Sequence, residues 1–402
     1  MTPRKKGTAA ALLAAVVAVV AMAAMAGGAG AASSQQPIVI GWAFDSKGGM
    51  APFDGPALAA ANIRLKQVNA QGGVRGRQLK IVTCDTQGNK PAIAKSCAAK
   101  LLGQGADIIF TTCDVDLAAP VVQEAINRGV LAVAPCIGTD QMGPKRFGKK
   151  GRLAFTFGNV AQDEGSAMAE YAWRKGWRTA SLATDTVIVY FKNVVQAFEA
   201  RWKELGGEIV AKETYQSAPA GGGNPASWQA VTTRLNAEKA DVIVTATAPP
   251  WAAMPTILNG LRTLGNDTPM LNSWAGDGTY WTSKDAPTSN YYFVTYASVF
   301  GDDPSKAVNA LAKQVKAGTG GFVTGAAAID GVATAIRRAK STQGLALAAQ
   351  LEKFSKVPTI SGLVSFSPSL HAVFGRQYRV IEIQDNKAKV VGTVVAKKVP
   401  KI

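Results

Sequence analysis

The sequence predicts an α/β fold of two doubly wound, parallel-sheet lobes joined by a hinge of three stretches. Two observations predict it. Short apolar runs that are continuous rather than alternating mark strands buried on both faces, and each is followed by a segment with helical spacing. This strand–helix alternation runs once up to about residue 157 and starts again after it. With 402 residues, 47% of them hydrophobic and 18% charged, the chain is long enough for two globular units with cores of their own.

Taken in order, 38–44 is a buried strand. A helix over 55–69 places Leu58, Ala61, Leu65 and Val68 on one face. It stops at Asn69-Ala70-Gln71-Gly72-Gly73, where glycine tolerates the left-handed backbone of a helix end. Val74 is a short apolar anchor, and Arg75-Gly76-Arg77 turns the chain into a strand over 78–84. Next come a helix over 92–102 carrying Ile93, Cys97 and Leu101, a strand over 107–111, a helix over 118–128 and a strand over 130–134. The second series begins after Phe155-Thr156-Phe157. It reads helix 163–175, strand 179–183, helix 191–205 closed by Gly206-Gly207, strand 208–214, helix 226–238, strand 241–245, helix 251–264 and strand 270–272. Helices over 304–318 and 324–340 return to the first lobe. Strands near 377–384 and 388–395 form an edge pair around Asp385-Asn386-Lys387. The expected limits are 37–157 with 297–366 for the first lobe, and 158–296 with 367–402 for the second.

The first 32 residues read as an export signal. Arg4, Lys5 and Lys6 form a basic start, residues 9–26 an apolar stretch, and Ala29-Gly30-Ala31 a small-residue cleavage site. A retained membrane anchor is the competing reading, but the stretch is Ala-rich and weakly apolar for a span. The first cysteine is Cys84, so no lipid-attachment cysteine follows the segment. A periplasmic or extracellular location is expected. Removing the three basic residues of the signal takes the net charge from +17 to +14. The remaining basic residues are scattered, which reads as a solvated face with at most peripheral membrane contact, and not as a nucleic-acid site.

Four cysteines in an exported chain favour disulfides. Three pairings are possible, of which Cys84–Cys97 with Cys113–Cys136 is favoured. Cys84–Cys97 would clip a strand end to the following helix, and Cys113–Cys136 would link the ends of neighbouring strands. A zinc site is the alternative, but there is no Cys-x-x-Cys pair and the single histidine, His371, is distant. No metal or cofactor is expected. Catalysis has little support: one histidine, no Gly-x-Ser-x-Gly elbow and no phosphate-binding glycine loop are present.

In parallel sheets ligands bind at the carboxyl ends of strands. This rule selects Trp42 to Ser46 with Met50 beyond, then Asp114-Val115-Asp116, the loop with Thr139, and in the second lobe the loops with Tyr190, Trp251 and Trp274 to Asp277. Each candidate has a plainer explanation. Asp114 or Asp116 would serve as a helix N-cap, Asp277 between two glycines as a turn residue, and Tyr190, Trp251 and Trp274 as packed apolar groups.

The string Asn69-Ala70-Gln71-Gly72-Gly73-Val74-Arg75-Gly76-Arg77 resembles the Asn-Ala-x-Gly-Gly-Val-x-Gly-Arg signature of bacterial extracellular solute-binding proteins, specifically the branched-chain-amino-acid-binding family that serves ABC transporters. Cys84 to Pro91, Phe155-Thr156-Phe157 with Gln162 to Gly165, and Glu199 to Glu208 are similar to further segments of that family. The resemblance implies the type I periplasmic binding protein fold. It also implies a monomer that captures a small polar ligand (an amino acid, an amide or a relative) and delivers it to an ABC permease. A stand-alone sensor of the same fold is the alternative. The resemblance gives Thr139 a hydroxyl role toward a ligand carboxylate, Tyr190 an aromatic role and Asp277 a role toward a ligand amine. Asp114 and Asp116 depart from it, since the family has serine or small residues there. Two carboxylates repel an anionic group, so a neutral or cationic ligand, or an amino-acid relative, stacked on aromatic walls is expected.

Overall fold

The computed structural model describes Met1, residues 36–218 and residues 222–401. The expected export signal lies outside the described residues. Among those described, no helix is long and apolar enough to cross a membrane.

The first sheet contains β1 (Ile38–Phe44), β2 (Leu79–Asp85), β3 (Ile108–Phe110), β4 (Leu131–Ala134), β5 (Ala154–Asn159) and the short β13 (Ala372–Val373), in the order β13-β5-β4-β3-β1-β2, all parallel. Its crossovers are α1 (Ala51–Ala70), α2 (Pro91–Gly103) and α3 (Val115–Asn127), with a short α4 (Pro144–Phe147) before β5. α5 (Ala161–Arg174) then leads to the second sheet. This is built from β6 (Thr179–Asp185), β7 (Glu208–Tyr215), β8 (Val242–Ala246), β9 (Met270–Asn272), β10 (Tyr291–Thr295), β14 (Tyr378–Gln384) and β15 (Lys387–Val394). Its order is β15-β14-β10-β9-β8-β6-β7, parallel except for the antiparallel pair at the β15 edge and the β10–β14 junction. Its crossover helices are α6 (Val189–Glu204), α7 (Pro225–Ala237) and α8 (Ala253–Thr263). The helices α9 (Lys306–Val315) and α10 (Phe322–Ala339) pack against α1, and α11 (Gly344–Leu351) against β4, on the flanks of the first sheet.

α1 begins four residues before the expected start at 55. Pro52 sits at its first turn, where a missing N–H costs nothing. Pro56 withholds the donor that Pro52 O would otherwise receive, and Thr319 Oγ1 approaches that oxygen at 3.4 Å instead. The signature string has a structural role here. Asn69 clamps β2 in both directions, with Nδ2 donating to Leu79 O at 2.9 Å and Oδ1 accepting from Leu79 N at 2.8 Å. Gly73 has φ +73°, and a Cβ there would stand 2.1 Å from Arg77 O, so no other residue fits. Val74 is fully buried as expected.

Both expected disulfides are present. Cys84–Cys97 joins β2 to α2 across 5.5 Å between Cα atoms, and Cys113–Cys136 joins the loops after β3 and β4 across 4.8 Å. The pairing of β13 with β5 keeps the chain on the first sheet as far as Val373, beyond the limit at 366 read from the sequence. A two-residue strand carries no periodicity that a sequence pattern can reveal.

The chain crosses between the sheets three times: after β5, after β10, and between β13 and β14. One side chain touches all three crossings. Arg376, in the third, is buried; its Nη2 donates to Phe157 O beside the first at 2.8 Å, and its guanidinium lies 5.1 Å from the ring centre of Tyr296 in the second. Asp163 at the start of α5 adds to the junction, accepting from Gly375 N at 3.1 Å and from Tyr378 OH at 3.3 Å.

Candidate functional site

The carboxyl ends of the strands of both sheets face a common cleft. It is lined by Met50, Phe53, Cys113, Asp114, Ile188, Tyr190, Phe191, Ala248, Trp251, Trp274 and Ala275, and about 20 Å³ of space remains inside it. Contacts made from both sides hold it shut. Trp251 Nε1 donates to Gly49 O at 3.2 Å, and Val189 N at the start of α6 donates to Asp116 Oδ2 at 3.0 Å. Phe53 meets Trp274 edge to face at 5.3 Å. Tyr190 reaches across to the first sheet because residue 138 is glycine: a Cβ there would lie 2.5 Å from the Tyr190 ring.

Around this aromatic box the backbone amides of the strand-end loops are held by the protein's own carboxylates. Asp45 accepts from Gly48 N at 2.7 Å and Met50 N at 3.1 Å. Asp54 accepts from Asp45 N at 2.9 Å and Cys113 N at 3.0 Å. Asp114 is the N-cap of α3, accepting through Oδ1 from Asp116 N at 2.9 Å and Leu117 N at 3.1 Å. Asp116 holds Val189 N, as above, and pairs with Arg146 at 2.6 Å. In the second sheet, Asp185 accepts from Val187 N and Ser217 N, both at 3.2 Å, and from Thr247 Oγ1 at 2.7 Å. Glu164 accepts from Trp274 N at 2.6 Å and Tyr190 OH at 2.9 Å. Asp277 accepts from Gly320 N at 2.5 Å and Thr295 Oγ1 at 2.7 Å.

Burial disfavours the charged forms of these acids. It raises Asp54, Asp114 and Asp277 to about 7 and Glu164 to about 8, with the negative charge of Asp116 adding to the shift of Asp114. Asp185 is also raised, by burial first. No lysine, arginine or histidine lines the cavity. Among the described residues there is no cluster of acids, cysteines and histidine suited to a metal.

A family model for periplasmic binding proteins matches residues 37–388 of the sequence. The chain belongs to the periplasmic binding protein family. Solved structures agree in fold. The branched-chain amino acid transporter substrate-binding protein LivJ of Streptococcus pneumoniae, in complex with isoleucine, superposes with a TM-score of 0.75 at 22% identity, over 90% of this chain and 100% of that one. The leucine-binding protein LivK of Thermotoga maritima gives 0.74 at 17%, over 89% and 98%. A solute-binding protein of an ABC transporter from Rhodopseudomonas palustris, in complex with 3,4-dihydroxybenzoic acid, gives 0.70 at 16%, over 91% and 99%. At such identities the likeness is one of fold. No curated protein sequence matches the chain.

Within this periplasmic binding protein the strand-end rule gathers Asp114, Tyr190, Trp251 and Trp274, with Met50, around one cavity. The other candidates lie outside its lining. Trp42 is wholly buried in β1, its ring 5.0 Å from Phe110. Ser46 is spent on Asp85, its Oγ donating at 2.6 Å. Val115 is core, and Thr139 is buried with its Oγ1 accepting from Gln141 N at 3.3 Å. Asp116 bridges the two sides as a clasp, and Asp277 is locked to Gly320 and Thr295. His371 stacks on Phe155 at 3.8 Å, at the amino end of β5 and away from the strand-end loops.

Phe53, Phe191 and Glu164 are the residues missed by strand-end position, because they sit on the helices that follow the strands. Glu164 is the one that sets the geometry, since it fixes two walls at once. Replacing it by alanine strands the Tyr190 hydroxyl and the Trp274 N–H in a dry setting, so a loss of about 3 kcal/mol is expected, and Glu164→Gln, which keeps an acceptor, should lose much less. Urea unfolding of the two variants checks this; equal losses would assign the effect to packing alone.

Proposed function

We propose that this chain is an exported solute-binding protein that encloses a small molecule between its two lobes and delivers it unchanged to an ABC permease. The observation that carries the reading is the cleft: strand-end loops of both sheets supply its walls, and Trp251–Gly49, Asp116–Val189 and Phe53–Trp274 close it from opposite sides. A ligand that touches both lobes only when they are together stabilises the closed form, which is the form a permease distinguishes. The closed volume of about 20 Å³ holds roughly one water, so the lobes part and the aromatic walls rearrange to admit a solute.

Family membership and the likeness to LivJ and LivK support an amino acid, an amide or a related compound as the cargo. We assign 37–157 with 297–373 to one lobe and 158–296 with 374–402 to the other, the limit at 366 moving to Val373 because β13 pairs with β5. The mature protein acts as a monomer outside the cytoplasmic membrane.

Native mass spectrometry of the purified protein identifies a retained ligand. Small-angle scattering before and after that ligand is removed and restored is expected to show a smaller radius of gyration with it bound. An unchanged radius would overturn the lobe-closure reading.

A further inference from the structure

The electrostatics of the cleft run against the rest of the molecule. The chain carries a net charge of +17, yet the charged side chains that surround the cavity are almost all acidic, and the one basic partner among them, Arg146, is paired with Asp116. More telling is what those acids do. An anion in a parallel α/β sheet is held by free amides at helix starts and strand-end turns. Here Asp114 takes the first amides of α3, Asp116 takes Val189 N of α6, Glu164 takes Trp274 N, Asp54 takes Cys113 N and Asp277 takes Gly320 N. A ligand carboxylate would find these amides already bonded to carboxyl groups of the protein.

Two further observations say what would fit instead. Five aromatic side chains, Phe53, Tyr190, Phe191, Trp251 and Trp274, contribute to one small cavity. Asp114, 4% exposed, lines it, and both its hydrogen bonds fall on Oδ1, so that Oδ2 has no donor. Aromatic faces attract a cation through the ring quadrupole, and a desolvated carboxylate completes such a site. Trp274 Nε1 is buried without a partner and offers one neutral donor.

We infer that the ligand is an organic cation, an alkylated or aromatic ammonium, seated among these rings against Asp114, with a neutral oxygen acceptor for the Trp274 indole. This rests on the solute-binding reading above. Of the cargo classes named above it selects the related compounds, as cations without a free carboxylate, over amino acids themselves. A cation also needs Asp114 ionised, and burial holds that carboxyl at about 7. The charged groups around Asp114 are Asp116 and Arg146 on its own flank, Asp54 behind Cys113, and Glu164 behind Tyr190 and Trp274. Affinity is therefore expected to rise as pH climbs from 6 to 8.

The test is calorimetric titration of the mature protein at pH 8 with tetramethylammonium, trimethylphenylammonium, isoleucine and 3,4-dihydroxybenzoate. At least one ammonium is expected to bind, 100-fold or more tighter than either carboxylate. Asp114→Asn keeps the helix cap, since asparagine caps as well as aspartate, and should weaken the ammonium at least tenfold without lowering the melting temperature. Trp251→Ala should weaken it by a similar factor, and Trp251→Phe by less. Tighter binding of isoleucine or 3,4-dihydroxybenzoate than of both ammoniums would overturn the cation assignment while leaving solute binding intact. Absence of heat with both ammoniums, or an Asp114→Asn variant that binds them unchanged, would also overturn it. Failure of the scattering experiment above would instead remove the lobe-closure reading.

Discussion

Replacing Cys84, Cys97, Cys113 and Cys136 together by serine is expected to lower the unfolding free energy by about 6 kcal/mol, roughly half from each bridge. The bridges close loops with sequence separations of 13 and 23 residues, and loops of that size restrict the unfolded chain by about 3 kcal/mol each. The two loops do not overlap, so their contributions should add. A loss of this size rivals the whole stability of a typical domain, so the quadruple variant should be largely unfolded at 37 °C. The bridges differ in what else they hold. Cys113 lines the cleft and donates its amide to Asp54, so the Cys113→Ser, Cys136→Ser pair should also loosen the first-lobe wall. The Cys84→Ser, Cys97→Ser pair should leave the cleft alone. Urea unfolding of both double variants, with ligand affinity as the second readout, checks the distinction. A total loss under about 2 kcal/mol would mean that the unfolded chain is already restricted there without the bridges.

The second large effect is on pH. A carboxyl whose folded pKa is raised holds its proton more tightly in the folded state than in the unfolded one. Between the ordinary value near 4 and the raised value, the unfolded chain has released protons that the folded chain still keeps, so rising pH favours unfolding. Asp163 at about 6, Asp54, Asp114 and Asp277 at about 7 and Glu164 at about 8 all act in this direction. Stability without ligand is expected to be greatest near pH 4 and to fall toward pH 8, with each fully participating group contributing up to about 1.4 kcal/mol per pH unit. Asp241, held below the usual carboxylate range by the amides of Arg178 and Thr179, works oppositely, and its contribution is lost only as pH drops through its lowered pKa. Melting temperatures at pH 5, 6, 7 and 8 check the profile. A flat or rising curve would show that the cleft acids titrate as if exposed. A bound cation should flatten the fall, because it compensates the charge that Asp114 acquires.

The fold was legible because its signals are long-range and redundant. Runs such as Ile108–Phe110 and Leu131–Ala134 are apolar throughout, which only a doubly covered sheet requires, and Gly73 with Asn69 fixes the first helix-to-strand turn by geometry that other residues cannot adopt. The short pieces were not legible. The hairpin strands β11 (Val357–Thr359) and β12 (Gly362–Val364), which pair with each other, and β13 are two or three residues each, too brief for a period, and β13 is placed by β5, far away in the chain. Within the cleft, strand ends could be read and helix faces could not. Trp251 and Trp274 follow β8 and β9 directly, whereas Glu164 reaches Trp274 N across 110 positions of sequence. The plain reading of Asp114 as an N-cap and the functional reading as a cleft wall both describe it, since one carboxyl oxygen caps the helix while the residue lines the cavity.

Arg376 has a mechanical consequence. Three separate strands of chain between two bodies would by themselves permit bending, twisting and sliding. A single buried guanidinium that sits in one strand, bonds to Phe157 at the second and lies against Tyr296 at the third fastens them at a point. Sliding would pull that point apart, whereas rotation about it would not. The junction is thereby pinned against translation, so the closure proposed above would proceed by rotation about Arg376 and bring the two aromatic faces of the cleft back to the same register.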